Sequence, residues 1–140
     1  MSRVADLLAS GRLEIVPPDR AVAELRLARA THHLTTAATL IVVDGEVAYN
    51  ALYDAARKSV TSHMLAYGFR APSGLGAHEA VGIYAIERIP DVTGGVAQYQ
   101  RLRRTRNRSE YNDFVLGQAQ IASDLRHATN IVAAVRASLG

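Results

Sequence analysis

The chain has no cysteine, no tryptophan and a single lysine, Lys58, among its 140 residues. Without cysteine it can form neither a disulfide framework nor a thiolate metal site, and this composition fits a reducing cytoplasm. Long apolar runs are also missing, because the most apolar stretch, residues 34–43, is too short to cross a bilayer. The N-terminal stretch lacks the pattern of a signal peptide, since charges interrupt its short apolar part. We therefore expect a cytoplasmic protein without a membrane partner.

Alanine and leucine are abundant, and only four prolines interrupt the chain. This composition favours helices. A chain of this length fits one domain with its own core, so residues 1–140 are interpreted as a single domain. No segment alternates between apolar and polar residues as a half-buried strand would. The sequence predicts an all-α, up-down helical bundle of four main helices and one or two short ones.

Capping residues and glycines set the limits of the predicted helices. Ser2 and Asp44 are placed as N-caps, Gly68 as a C-cap, and Pro90 stops a helix. Residues 12–18 are predicted to be an extended connector, because residues before proline avoid the helical region. The predicted helices span residues 2–9, 18–43, 46–67, 77–88, 96–106 and 114–139.

The last predicted helix has the clearest apolar periodicity in the chain. Its apolar residues recur at steps of four and three, which predicts a buried seam; they are Ile121, Leu125, Ala128, Val132, Val135 and Leu139. Polar residues off that seam are expected on the surface, and they include Asp124, Arg126, His127, Asn130 and Arg136. An aromatic stripe that includes Tyr49, Tyr53 and Tyr67 marks the 46–67 helix as a core or dimer contact.

Arginines are concentrated in one segment. Five of the fifteen lie between Arg101 and Arg108, although the formal net charge of the chain is only +3. Arg101, Arg104 and Arg108 share a helix face by their spacing, whereas Arg103 and Arg106 point elsewhere. The planar guanidinium suits phosphate, so RNA or phosphate contact is one interpretation. A solvated basic helix face and a protein contact are the alternatives.

The histidines do not form a recognisable metal site. His32 and His33 point about 100° apart on one helix, so both cannot bind the same ion. His63 lies near the tyrosine stripe, where a hydrogen-bonded core or interface histidine is expected. No phosphate loop, nucleophile elbow or carboxylate-bridged metal motif is present. We therefore predict no metal and no cofactor.

Two stretches resemble the HEPN domain family, in particular the small bacterial HEPN proteins paired with nucleotidyltransferases in toxin–antitoxin systems. They are "EVAYNALYDAARKSVTSHMLAYGFRAPSGLGAHEAVGIYA" and "RLRRTRNRSEYNDF", and the resemblance extends over residues 22–138. It implies a HEPN-like bundle, a homodimer, a nucleotidyltransferase partner protein and a toxin–antitoxin or defence setting. The ribonuclease members pair two arginine motifs in one cleft and cleave RNA without a metal, through its 2′-hydroxyl.

The resemblance also implies site residues. The family motif has an arginine, then often an asparagine, and a histidine five positions after the arginine. Arg106 and Asn107 match as catalytic residues, Tyr111 stands at the histidine position, and His78 matches an accessory histidine. Tyrosine has a pKa of about 10, so it is a poor base at neutral pH, and ribonuclease activity is expected to be weakened or absent. Tyr111 also resembles the tyrosine that receives AMP in some family toxins.

Three functions remain open from the sequence. The first is a homodimer that contacts RNA through Arg101, Arg104, Arg106 and Arg108. The second is a non-catalytic partner of a nucleotidyltransferase or of another protein. The third is a helical protein that binds a nucleotide with the same arginines.

Overall fold

The computed structural model describes residues 2–111 and 115–140, and the side chains of Glu110 and Tyr111 lie outside that description. Its helices are α1 (Arg3–Ala9), α2 (Arg20–Leu40), α3 (Gly45–Tyr67), α4 (Ala77–Arg88), α5 (Tyr99–Tyr111) and α6 (Gln118–Leu139). A 3-10 turn at Val96–Gln98 leads into α5. Two short strands, β1 (Glu14–Ile15) and β2 (Phe69–Arg70), complete the described elements. The chain is mostly helical, as predicted, while the HEPN-like arrangement stays a prediction.

The predicted caps are present. Side-chain oxygens of Ser2 and Asp44 accept hydrogen bonds from backbone N–H groups three residues on, which satisfies donors that a helix start leaves unpaired. Gly68 ends α3 with φ 87°, a conformation that favours glycine. A Cβ at this position would lie 2.8 Å from the carbonyl oxygen of Val16. These three helix limits are therefore local properties of the sequence.

A small antiparallel pair is the main departure from the predicted secondary structure. β1 pairs with β2 in the register Glu14 to Arg70 and Ile15 to Phe69. Each strand has only two residues, which is too few to show an alternating pattern, so the sequence did not predict the strands. The pair ties the connector before α2 to the segment after α3, and Phe69 packs beside Tyr84 and Arg88 in the second half of α4.

The last two helices also differ in their limits from the prediction. α5 starts later than expected, because the carboxylate of Asp91 accepts hydrogen bonds from Val96 and Ala97 and holds a separate 3-10 turn. The helix also continues further than expected, to Tyr111. α6 begins at Gln118 rather than at 114, and Phe114 lies outside the described residues. Gly95 permits the turn to approach α6, since a Cβ there would lie 2.6 Å from Cβ of Asn130.

Helix α3 lies at the centre of the core. It packs against α2 and α6 along its length and also contacts α4 and α5. The predicted seam of α6 is buried, apart from Leu125, which packs against the core while partly exposed. Asp124 was predicted on the polar surface, and that prediction is wrong: Asp124 is only 1% exposed. Its carboxylate is buried because two partners from other helices bind it.

No helix of the part of the chain that the structure describes combines the length and the hydropathy needed to span a membrane.

Candidate functional site

Helix α5 presents its arginines on two different sides. Leu102, Thr105 and Ser109 are buried and fix the side that faces the core. At 100° per residue, Arg101 then flanks this buried side on one edge, and Arg103 and Arg106 flank it on the other. Arg104 and Arg108 are exposed, and their contact with RNA stays a prediction.

The first flank holds a buried ion pair. Arg101 donates from Nη2 to Oδ1 of Asp124 at 2.6 Å and from Nη1 to Oδ2 at 3.3 Å. The Tyr49 hydroxyl donates to the same carboxylate at 2.8 Å. The hydrogen bond with Asp124 raises the pKa of Arg101, and burial, followed by Asp124, raises the pKa of Tyr49. Arg101 thus has a structural partner, and its contact with phosphate stays a prediction.

The second flank brings α3, α4 and α5 together around His78. His78 Nδ1 lies 3.0 Å from the Tyr53 hydroxyl, and the two rings stack with their centroids 5.8 Å apart. The Arg106 guanidinium lies over the Tyr53 ring, 5.8 Å from its centroid. Arg106 and His78, which are far apart in sequence, are therefore neighbours on one tyrosine. This cluster, with Arg57 and Arg103 described next, is called the His78 site.

Arg103 is held beside this group by an intermediary. Its Nε donates to Oε1 of Gln100 at 2.8 Å, and Gln100 Nε2 donates to the carbonyl oxygen of Glu79 at 3.0 Å. Gly82 makes room for Gln100, since a Cβ there would lie 2.4 Å from Gln100 Nε2. Gln100 thereby links Arg103 to the first turn of α4, close to His78.

Positive charge accumulates around His78. Partial burial lowers the pKa of His78, and Arg57 and Arg106 lower it further against the opposing effect of Asp54. Burial raises the pKa of Tyr53, while its hydrogen bond with Tyr99, and then Arg57, Arg103 and Arg106, oppose the rise. His78 is therefore neutral at pH 7, and a neutral ring does not offset the arginines. The site is electrostatically suited to an anion.

Among the described residues, the guanidinium of Arg57 has hydrogen-bond partners for only some of its N–H groups. Its Nη2 lies 3.4 Å from Oδ1 of Asp54, three residues earlier on α3. Its Nε is buried and has no hydrogen-bond partner. Buried donors nearly always have a partner, so this Nε is an exception among the described residues.

The buried hydroxyl of Tyr99 bears on which groups of the His78 site donate hydrogen bonds and which accept them. Its hydroxyl is fully buried and lies 3.4 Å from the Tyr53 hydroxyl, its only hydrogen-bond partner among the described residues. Because the Tyr99 proton has no other acceptor among the described residues, we assign Tyr99 as the donor to Tyr53 and Tyr53 as the donor to Nδ1 of His78. With this assignment, the neutral His78 ring carries its proton on Nε2 and can donate a hydrogen bond outward.

Arg57 and His78 also border a cleft of about 630 Å³ between α2, α3, β2 and the start of α4. Its other cationic lining residues are Arg26, Arg29, Lys58 and Arg70. A second, smaller cavity of about 290 Å³ lies by His63 and Tyr67. The larger cleft continues the positive surface of the His78 site onto the next face of the bundle.

The other histidines have structural surroundings. His63 is 3% exposed and lies 2.9 Å from both the Tyr84 hydroxyl and the Ser138 hydroxyl, which confirms the predicted hydrogen-bonded core histidine. Burial lowers the pKa of His63 to about 4. His33 Nε2 lies 2.7 Å from Lys58 Nζ. Among the described residues, no group of three or more histidine, aspartate or glutamate side chains is placed to bind a metal ion.

Of the residues predicted from sequence, the structure brings Arg106 and His78 together on Tyr53. Asn107 is half-buried on α5, and the side chain of Tyr111 lies outside the described residues. Sequence reasoning missed Arg57 and Arg103. One usable signal was the four-residue step from Tyr53 to Arg57, which puts both on one side of α3.

A comparison with known proteins found no family model, no curated protein and no solved structure that matches this chain. The resemblance to HEPN domains, and the function that it implies, therefore stay predictions.

Proposed function

We propose that this chain binds RNA through its phosphates, as a HEPN-like protein in a toxin–antitoxin or defence setting. The observation that carries the proposal is the placement of Arg106 and His78 on the same Tyr53 ring, with Arg103 held beside them through Gln100. Arginine presents a planar fork of donors that matches phosphate oxygens. The exposed Arg104 and Arg108 lie toward the Arg101 side of α5 and add positive charge to this helix outside the His78 site.

Binding is favoured over cleavage by the proton arrangement at His78. Cleavage through a 2′-hydroxyl needs a group that removes its proton. With Tyr53 donating to Nδ1, His78 offers an Nε2–H donor, which suits a phosphate oxygen and not a hydroxyl proton. Ribonuclease activity is therefore proposed to be weak or absent, in line with tyrosine at position 111.

The test is binding and cleavage of a labelled single-stranded RNA, followed together in EDTA at several salt concentrations. We expect Arg103→Gln and Arg106→Gln each to weaken binding about tenfold, as the loss of a charge-assisted hydrogen bond predicts. Each should also reduce the slope of log affinity against log salt by about 0.7 per lost phosphate contact. Arg126→Gln, which removes an exposed arginine on α6, serves as the control for net charge.

The possible results separate the hypotheses. Binding without cleavage that weakens in the two α5 variants, but not in the control, supports the proposal. Cleavage that is lost in Arg106→Ala and in Tyr111→Phe would instead establish a metal-independent ribonuclease. If the wild-type protein neither binds nor cleaves RNA at low salt, the RNA proposal is overturned.

A protein contact is the second candidate function, and exposed apolar side chains favour it. Val42, Val43 and Val47 lie at the turn between α2 and α3 with 72%, 75% and 46% of their surfaces exposed. Adjacent exposed apolar residues mark interaction surfaces more often than scattered ones do. The proposed homodimer and the nucleotidyltransferase partner would use such a surface. Light scattering of the wild-type protein and of Val43→Ser tests for the homodimer. Co-purification with the nucleotidyltransferase tests for the partner protein.

A further inference from the structure

We infer that the cleft beside the His78 site holds an unpaired base of the bound RNA. This inference rests on the proposed function and deepens it, since it names single-stranded RNA as the ligand class. The cleft and the His78 site share Arg57 and His78. A strand with a phosphate at these two residues places its neighbouring nucleotide at the cleft.

The floor of the cleft is apolar. It is formed by Met64, Leu65, Phe69 and Val81, from α3, β2 and α4. Leu25 at the opposite wall leaves 72% of its surface exposed. A flat base has apolar faces that such a floor desolvates, and the exposed ring of His78 offers a surface for stacking. The Phe69 ring contributes to the apolar floor and is itself covered by Arg88 and Tyr84.

The rim of the cleft has more cationic side chains than the neighbouring carboxylates neutralise. Five cationic side chains line it, and among the described residues two of them, Arg57 and Arg70, have carboxylate partners, Asp54 and Glu14. Lys58 pairs with His33, whose pKa is lowered by burial and then by Lys58, so this partner is neutral and removes no charge. The excess positive charge selects a ligand with several anionic groups.

Size and charge together favour a nucleotide strand over other apolar anions. A volume of about 630 Å³ lies in the range that accommodates a small organic ligand. A fatty acyl chain would use the apolar floor but would bring only one charge to a rim with several. An RNA strand supplies both a flat apolar base and a phosphate on either side of it.

The experiment compares two probes of equal length and charge by fluorescence anisotropy: a single-stranded oligoadenylate and an abasic ribose-phosphate strand. We expect the wild-type protein to bind the oligoadenylate about tenfold more tightly, the typical contribution of one stacked base. A 2-aminopurine placed within the strand should change its fluorescence on binding. Alkyl phosphate is a third probe, for an acyl occupant.

Two variants act on the cleft and leave the α5 arginines intact. Ala77→Phe adds a ring at a half-buried position that lines the cleft, and Leu25→Gln removes an exposed apolar side chain from its wall. Thermal unfolding identifies a variant that fails to fold, and the other variant then tests the inference. We expect each to lower the affinity for oligoadenylate toward that for the abasic strand and to leave the abasic strand unaffected.

The outcomes distinguish the two proposals. Equal affinity for both strands, reduced by Arg106→Gln but not by Ala77→Phe or Leu25→Gln, would overturn the base-binding cleft and leave phosphate binding intact. No binding of either strand would overturn the proposed function together with this inference. Binding of alkyl phosphate in the cleft without discrimination between the two strands would also overturn the inference. Tighter oligoadenylate binding that both cleft variants abolish supports it.

Discussion

Each flank of α5 places an arginine close to a tyrosine of α3, but the third group of the cluster differs between the two flanks. Arg101 and Arg106 lie five residues apart, and each is close to a tyrosine of α3, Tyr49 or Tyr53. On the first flank the third partner is the buried carboxylate of Asp124. On the second it is the neutral ring of His78. The two flanks therefore differ in the described group beside the tyrosine: a buried carboxylate on the Arg101 side and an imidazole on the Arg106 side.

The largest expected effect comes from removing the buried carboxylate. In Asp124→Ala, the guanidinium of Arg101 and the hydroxyl of Tyr49 lose their shared acceptor in a desolvated position. Breaking such a pair typically destabilises a protein by about 3–5 kcal/mol, and we expect the lower end because Arg101 is 39% exposed. Urea unfolding measures the change.

Asp54→Ala is the matched control, since it removes a carboxylate that lies beside Arg57 at the second flank. Asp54 is 38% exposed and lies 3.4 Å from Arg57, so its loss should reduce stability by less than about 1 kcal/mol. It should also strengthen RNA binding, because it removes a negative charge from the proposed site. Equal destabilisation by the two variants would mean that the flanks do not differ as described.

The buried pair of His63 and Tyr84 extends the comparison to the effect of pH on the free energy of unfolding. His63 is buried against Tyr84 and has a pKa of about 4, whereas an unfolded histidine has a pKa of 6.5. Between these values the unfolded chain binds a proton that the folded chain does not. The free energy of unfolding should therefore fall as pH drops from 6.5 to 4, by about 3 kcal/mol.

This dependence is measured as the difference between wild type and His63→Gln across that pH range, which cancels the effect of the carboxylates. His32→Gln, at an exposed histidine, is the control and should follow wild type. A wild-type slope that persists unchanged in His63→Gln would show that His63 does not carry the effect.

The smallest expected effect tests the hydroxyl chain of the second flank. Tyr53→Phe leaves the buried Tyr99 hydroxyl without an acceptor among the described residues. An unsatisfied buried hydroxyl costs about 1–2 kcal/mol. Tyr99→Phe should cost less, because Tyr53 keeps its hydrogen bond with His78. Thermal unfolding of both variants measures the difference.

The double variant Tyr53→Phe/Tyr99→Phe completes this cycle. It has no orphaned hydroxyl, so we expect it to be no less stable than Tyr53→Phe alone. Additive losses would argue against Tyr99 as the donor to Tyr53, and with it against the proton position assigned to His78.

Much of the helical organisation was predictable because it depends on contacts between near neighbours. The caps at Ser2, Asp44 and Gly68 act within a few residues, and α4 has the limits that were predicted for it. The later start of α5 was missed because the separate 3-10 turn depends on the Asp91 carboxylate. The strand pair was missed because each strand is too short to carry a pattern.

The sequence by itself determined the helical class, most helix limits and the buried seam of α6, since propensity, capping and apolar periodicity are local. Only the tertiary structure decided what the charged residues do. Asp124 is buried because Tyr49 and Arg101 reach it from two other helices. The His78 site likewise exists only because α3, α4 and α5 meet. Electrostatic interactions depend on distance in space, and spacing along the chain does not give that distance.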